Sequence, residues 1–167
     1  MSTNFIALFD VSSPEITLAW LKGKLIADPQ FGSRIIERYR DYWLVKDWEI
    51  EESDVTGSAL FGPGGFAIHL EERTIDLFHM MRFNTFTGDE LFRSELRNAC
   101  FQLARLVGSA RAIYTHELMP YGSGGLVQIE KRLREDIGPP AATFDELHTA
   151  EYYGPRAWYI DEFEDLV

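Results

Sequence analysis

The residues of this chain that could carry chemistry lie at the end of a predicted strand over residues 111–117 and in the loop that follows it. A glycine-rich loop at 119–125 comes next, and a predicted helix begins after it. Strand, glycine-rich loop and helix in that order can point free backbone amides at an anion or a polar ligand. A histidine followed by an acid at the end of the strand adds a candidate acid/base pair. The candidate ligand residues are His116, Glu117, Tyr121 and Ser123.

The same loop is also compatible with a plain surface turn. It contains no lysine to hold a phosphate, and His116 and Glu117, as neighbours on a strand, point to opposite faces of a sheet. The closest match to a hydrolase nucleophile elbow, Gly122-Ser123-Gly124, is one residue too short. The chain has neither a Walker A loop nor a dinucleotide-binding fingerprint. No catalytic residue is therefore predicted, and a ligand site stays one of two interpretations of this loop.

The histidines and the single cysteine do not predict a metal or cofactor site. No two histidines have the three- or four-residue spacing of metal ligands on a helix. We expect His79 to be a hydrogen-bonded core residue and His69 to face Asp76 across a hairpin. Cys100 falls on the apolar stripe of a predicted helix, where burial raises the pKa of a thiol and blocks access to it. No metal and no cofactor are expected.

The charge of the chain favours a basic protein partner over nucleic acid or an anionic membrane. With 16 basic and 27 acidic residues the net charge is −11, and phosphate binding needs clustered bases. Acids concentrate over residues 47–54 and 145–165, and the two segments could meet as one acidic face beside exposed aromatic rings. The alternative is two solvated rims that keep the protein soluble. The candidate partner-binding residues are Trp48, Glu51, Glu52, Tyr152, Tyr153, Asp161 and Glu162.

Helices are predicted from apolar residues at helical spacing next to capping signals. The clearest begins at the capping box Thr87-Gly88-Asp89-Glu90 and ends at Gly108, a suitable left-handed stop. The motif Thr143-Phe144-Asp145-Glu146 repeats that capping pattern. The other helices are predicted over residues 13–25, after Asp28-Pro29, and over residues 126–137.

Strands are predicted between these helices, which indicates an α+β domain. They are expected over residues 3–9, 42–50, 66–70, 74–81, 111–117 and 156–163. Residues 66–81 should form a hairpin in which Leu70 opposes Ile75. We therefore expect one domain over residues 1–167, with a mixed or mainly antiparallel sheet and helices packed on one face as a single pair of layers.

Three functions remain open at this point. The acidic segments favour a non-enzymatic module that binds or inhibits a basic protein. In general character such a chain resembles small inhibitor proteins, including immunity proteins that neutralise basic toxins, although no motif assigns it to a family. The first alternative is a small enzyme or ligand-binding domain with its site at the end of the strand 111–117. The second is a self-associating structural subunit such as a homodimer. The absence of a secretory leader and of a long apolar segment predicts a cytoplasmic protein.

Overall fold

The computed structural model describes residues 3–42, 45–54 and 57–166. Within these residues, seven strands form one sheet in which every pairing is antiparallel. The strands are β1 (Asn4–Asp10), β2 (Glu49–Ser53), β3 (Gly57–Phe61), β4 (Phe66–Leu70), β5 (Thr74–Arg82), β6 (Ala112–His116) and β7 (Tyr159–Asp161). Their order across the sheet is β2-β3-β4-β5-β1-β6-β7, so β1 is central and β2 and β7 are the edges.

Helices cover both faces of this sheet. They are α1 (Leu18–Ala27), α2 (Ser33–Arg38), α3 (Phe83–Gly88), α4 (Glu90–Val107), α5 (Leu126–Asp136) and α6 (Phe144–Thr149). All except α5 contribute to the core that contains Phe5, Ala7 and Phe9 of β1. Helix α5 packs on the opposite face, against Ile6 and Leu8. Among the described residues, no helix is both long enough and apolar enough to span a membrane.

The predicted α+β class with an antiparallel sheet is confirmed. The layers differ from the prediction in one respect, because α5 covers the second face instead of joining the other helices. The reason lies in β1, whose residues are apolar on both sides of the strand. A strand of that kind has to be covered on both faces, and α5 shields the second one with Leu126, Ile129 and Leu133.

The hairpin over residues 66–81 and the end of the helix at Gly108 were predicted correctly. Strands β4 and β5 form the predicted hairpin, in which Leu70 pairs with Ile75 and His69 with Asp76. Helix α4 ends as expected at Gly108, which has a φ of 78°. This left-handed conformation has little steric cost for a residue without a Cβ.

The predicted strand over residues 42–50 is wrong in position. Residues 40–42 form a single 3₁₀ turn, residues 43 and 44 lie outside the described residues, and β2 begins only at Glu49. The capping residue of α4 is also displaced. Asp89, not Thr87, accepts the backbone N–H of Phe92 at 3.0 Å, and Thr87 lies in the preceding helix α3. Thr87 and Asp89 both suit a helix N-cap and stand two positions apart, and Asp89 is the one that caps α4.

His79 on β5 is a core residue whose two ring nitrogens bind the backbone. Its Nε2 donates to the carbonyl oxygen of Gly64 at 2.8 Å, and its Nδ1 accepts the N–H of Met81 at 3.1 Å. The ring is fully buried between the rings of Phe66 and Phe92. Burial therefore lowers the pKa of His79 to about 4, although the bond to Gly64 acts in the opposite direction.

Candidate functional site

A partly open cavity lies at the end of the sheet where β1 begins and β5 and β6 end. Its volume is about 120 Å³. Its inner end is formed by buried residues such as Thr3, His116 and Leu147, and exposed residues such as Asn84, His148 and Glu151 stand at its rim. The complete lining is Thr3, Phe83, Asn84, Thr87, His116, Leu147, His148, Ala150, Glu151, Tyr152 and Ala157.

This cavity collects most of the unsatisfied buried polar atoms of the described chain. Within the described residues, four buried side-chain atoms have no hydrogen-bond partner. Three of them, Thr3 Oγ1, His116 Nδ1 and the Tyr152 hydroxyl, belong to residues that line the cavity. An unpaired buried polar group costs about 1–3 kcal/mol, so native proteins keep few of them. Three such atoms on residues around one cavity make it the candidate site of the described chain.

His116 is held in one orientation and one protonation state. Its Nε2 lies 2.8 Å from the carbonyl oxygen of Tyr152, and because a carbonyl can only accept, Nε2 must carry the proton. The imidazole stacks on the Tyr152 ring at 4.3 Å and contacts Tyr153 edge-on at 5.6 Å. Burial lowers the pKa of His116 below its ordinary value. This lowered pKa favours the neutral ring with its proton on Nε2, which leaves Nδ1 as an acceptor.

A second imidazole stands at the rim of the cavity on helix α6. The Nδ1 of His148 lies 2.9 Å from the hydroxyl oxygen of Thr87, and that hydroxyl can also donate to the carbonyl oxygen of Asn84 at 3.2 Å. When Thr87 donates to Asn84, its oxygen accepts the proton on His148 Nδ1, which leaves Nε2 of His148 as an acceptor. The cavity is thus lined by two imidazoles and by two residues, Thr3 and Tyr152, whose hydroxyls are unpaired.

The predicted ligand residues do not form one site. His116 lines the cavity, but Glu117 is exposed, and its Oε1 accepts the N–H of Asn4 at 3.1 Å. Tyr121 donates its hydroxyl to Asp76 at 3.1 Å, and burial raises the pKa of this carboxyl to about 6. Ser123 is exposed and lines a separate depression beside the turn between β4 and β5.

The glycine-rich loop is not an open anion site at the start of α5. The N–H of Leu126, in the first turn of that helix, donates to the carboxylate of Asp10 at 2.8 Å. A carboxylate from the end of β1 thus already takes the position that a phosphate would occupy. This contact also fixes α5 to the central strand of the sheet.

Two of the predicted partner-binding residues are buried and cannot be surface anchors. Trp48 is 5% exposed and contacts the rings of Phe31 and Phe66. Asp161 is 3% exposed and forms an ion pair with Arg97 at 2.8 Å. Asp161 also accepts the Tyr114 hydroxyl at 2.7 Å and the N–H of Phe163 at 2.9 Å. Both side chains therefore hold the fold together.

The two acidic segments do not meet as one face. Glu51 and Glu52 are exposed on β2, at one edge of the sheet, whereas Glu162 is exposed directly after β7, at the other edge. Six strand spacings of about 4.8 Å separate these edges by about 29 Å, several Debye lengths at physiological salt. Tyr152 and Tyr153 lie beside His116 instead. A basic partner for either acidic segment alone stays a prediction.

The residues that complete the cavity carried no distinctive sequence signal. Thr3 belonged to a predicted strand, Thr87 resembled a helix cap, and His148 had no second histidine at ligand spacing. They meet only because α3 and α6 pack beside the ends of β1 and β6. A buried threonine beside the start of a strand is common. Thr3 stands out only because its hydroxyl has no hydrogen-bond partner in the structure.

Comparison of the chain with protein-family models, with curated proteins and with solved structures found no match. Within residues 3–42, 45–54 and 57–166, no three histidine, cysteine or acidic side chains gather as metal ligands would. The interpretation of the site therefore depends on its geometry.

Proposed function

We propose that this protein binds a small uncharged molecule in the cavity beside His116. The observation that carries the proposal is the set of three unpartnered polar atoms, on Thr3, His116 and Tyr152, whose residues line that cavity. A ligand that pairs with them would remove a desolvation cost that the empty protein carries at each atom. This is the ligand-binding alternative raised by the position of His116 at the end of β6.

The volume limits the ligand to a small molecule. The cavity has a volume of only about 120 Å³. Pockets for drug-sized ligands are roughly 300–1,000 Å³, well above this size. A larger ligand would have to leave part of itself outside the rim formed by Asn84, His148 and Glu151.

The charges of the lining favour an uncharged hydrogen-bond donor. No lysine or arginine is among the lining residues that the structure describes, and the lowered pKa of His116 favours its neutral form. An anion would therefore find no lysine or arginine as a counter-charge, and Glu151 at the rim would repel it. Because His116 Nδ1 can only accept, the ligand has to bring a hydroxyl or an N–H. Small alcohols, amides and ureas have this chemistry.

The test is a fragment screen on the wild-type protein and on Thr3→Val. Neutral alcohols, amides and ureas of four to eight non-hydrogen atoms are screened by ligand-observed NMR, and hits are ranked by dissociation constant. Thr3→Val keeps the shape and removes one unpaired hydroxyl. We expect it to weaken binding about five-fold or more while leaving the stability of the free protein unchanged or higher. Thr149→Val, an exposed site on α6, is the matched control.

Two results would contradict the proposal. One is the absence of any hit on the wild-type protein. The other is a set of hits that bind equally well to the wild-type protein, to Thr3→Val and to His116→Phe, a variant that retains an aromatic ring beside Tyr152. Binding that is lost in both variants and kept in Thr149→Val would support a site at this cavity.

A further inference from the structure

A second depression lies between the start of α2 and the middle of α4. Its volume is about 480 Å³. Polar side chains form most of its wall, and Phe101 and Leu166 add an apolar portion. The side chains that matter for the argument are Gln30, Arg34, Glu95 and Asn98. This groove shares no lining residue with the cavity beside His116.

Glu95 gives this groove its chemical character. Its side chain is only 7% exposed, and its Oε1 accepts a hydrogen bond from Arg38 at 2.7 Å. Its Oε2 is buried and has no partner among the described residues, which makes it the fourth unsatisfied buried atom. A carboxylate can accept about four hydrogen bonds, so Oε2 retains capacity for a strong donor. A protonated amine is the donor that a charged oxygen binds best.

Arg34 supplies the opposite charge at the same groove. It lies in the first turn of α2, its side chain is exposed, and within the described residues it forms no ion pair. Arg38 already balances one oxygen of Glu95, so the groove as a whole is not acidic. A simple cation would therefore gain little from it. A molecule that carries both signs can use Glu95 Oε2 and the Arg34 guanidinium together.

We propose that this groove binds a small zwitterion of the amino-acid type. Its ammonium group donates to Glu95 Oε2, and its carboxylate binds the guanidinium of Arg34. The side-chain amides of Gln30 and Asn98 add neutral hydrogen bonds, and the carbon skeleton lies toward the apolar part of the wall. The proposal is independent of the ligand in the cavity beside His116, because the two sites have no residue in common.

The experiment is a calorimetric titration of the full chain with linear ω-amino acids from glycine to 6-aminohexanoate. Acetate and butylamine serve as probes that carry only one of the two charges. We expect one length of zwitterion to bind at least ten-fold more tightly than either single-charge probe. Arg34→Gln and Glu95→Gln should each weaken that binding at least ten-fold. Glu37→Gln, an exposed position on α2 outside the groove, should leave it unchanged.

The single-charge probes also separate the two contacts. Arg34→Gln should leave the weak binding of butylamine unaltered, and Glu95→Gln should leave that of acetate unaltered. The proposal is overturned if no ω-amino acid binds the wild-type protein, or if the single-charge probes bind as tightly as the zwitterions. It is also overturned if Arg34→Gln, an exposed substitution that should not disturb folding, keeps full affinity.

Discussion

Acidification should destabilise this protein through His79, because the fold holds this histidine in its neutral form. Its Nδ1 accepts the N–H of Met81, so a proton on Nδ1 would face another donor. The pKa of His79 is about 4 in the folded protein, against an ordinary value of 6.5. Between these pH values the unfolded chain binds a proton that the folded chain does not. The free energy of unfolding therefore falls as the pH falls.

The size of the effect follows from the two pKa values of His79. With 6.5 in the unfolded chain and about 4 in the folded protein, the loss between pH 7.5 and pH 5 is about 2 kcal/mol. At pH 4 it reaches about 3 kcal/mol. Asp76 acts in the opposite direction, because burial raises its pKa to about 6 and the folded state takes up that proton first. The contribution of His79 must therefore be isolated with a variant.

The assay compares wild-type protein with His79→Gln by urea unfolding at several pH values from 7.5 to 4. Glutamine retains a donor for the carbonyl of Gly64 and does not titrate, so Asp76 and His116 cancel in the difference. We expect the stability gap between the two proteins to shrink by about 2 kcal/mol from pH 7.5 to pH 5. NMR of the imidazole in the folded wild-type protein gives a second reading, with no titration of His79 above pH 5.

Two results would refute this reasoning about His79. The first is a pair of parallel stability curves for wild type and His79→Gln across this pH range. The second is an imidazole signal of His79 that titrates near pH 6.5 in the folded protein. Either would mean that the ring accepts a proton without losing its bonds to the backbone of Gly64 and Met81.

Three further substitutions should change stability, and urea unfolding at pH 7.5 tests all of them. Asp161→Ala should cost about 2–4 kcal/mol, because it leaves the buried Tyr114 hydroxyl unpaired and leaves Arg97 with only its exposed partner, Asp165; a loss below about 1 kcal/mol would contradict the importance of these contacts. Gly62→Ala should cost about 1–3 kcal/mol, because the added Cβ would overlap the ring of Trp48. Gly23→Ala, at an open position in α1, should instead gain about 0.5–1 kcal/mol, and equal effects of the two alanines would refute the steric argument.

Much of the local structure could be predicted because its signals are close in sequence. The β4–β5 hairpin and the end of α4 depend on contacts within a few residues. The alternation over residues 42–50 misled because Trp48 is buried by packing on Phe31 and Phe66 and not as part of a strand. Strand β3, which the pattern did not indicate, is short and starts with Gly57-Ser58. The strand order could not be derived, since β1 pairs with β5 and β6 far along the chain.

The candidate site was predictable only in part, for a physical reason. His116 drew attention because it ends a strand, and it does line the cavity. Thr3 and Tyr152 are distinguished only by hydrogen bonds that they fail to make, and a sequence does not show which polar groups stay unpaired. The acidic face failed as a prediction because net charge says nothing about which edge of a sheet a segment occupies. The burial of Glu95 could not be predicted either, because the sequence does not show that this acid lies among the buried apolar residues of α4.

The central position of β1 has a consequence for how the chain is made. During synthesis, residues 4–10 leave the ribosome long before their two neighbours, β5 and β6, exist. At roughly 5–20 residues per second, the apolar run from Phe5 to Phe9 waits about 5–20 s for β6 to be completed. Strand β5 can cover one edge of β1 once residue 82 has been made, but the other edge has no native partner until β6 exists. This stretch is therefore the part of the nascent chain on which we expect a chaperone to act first.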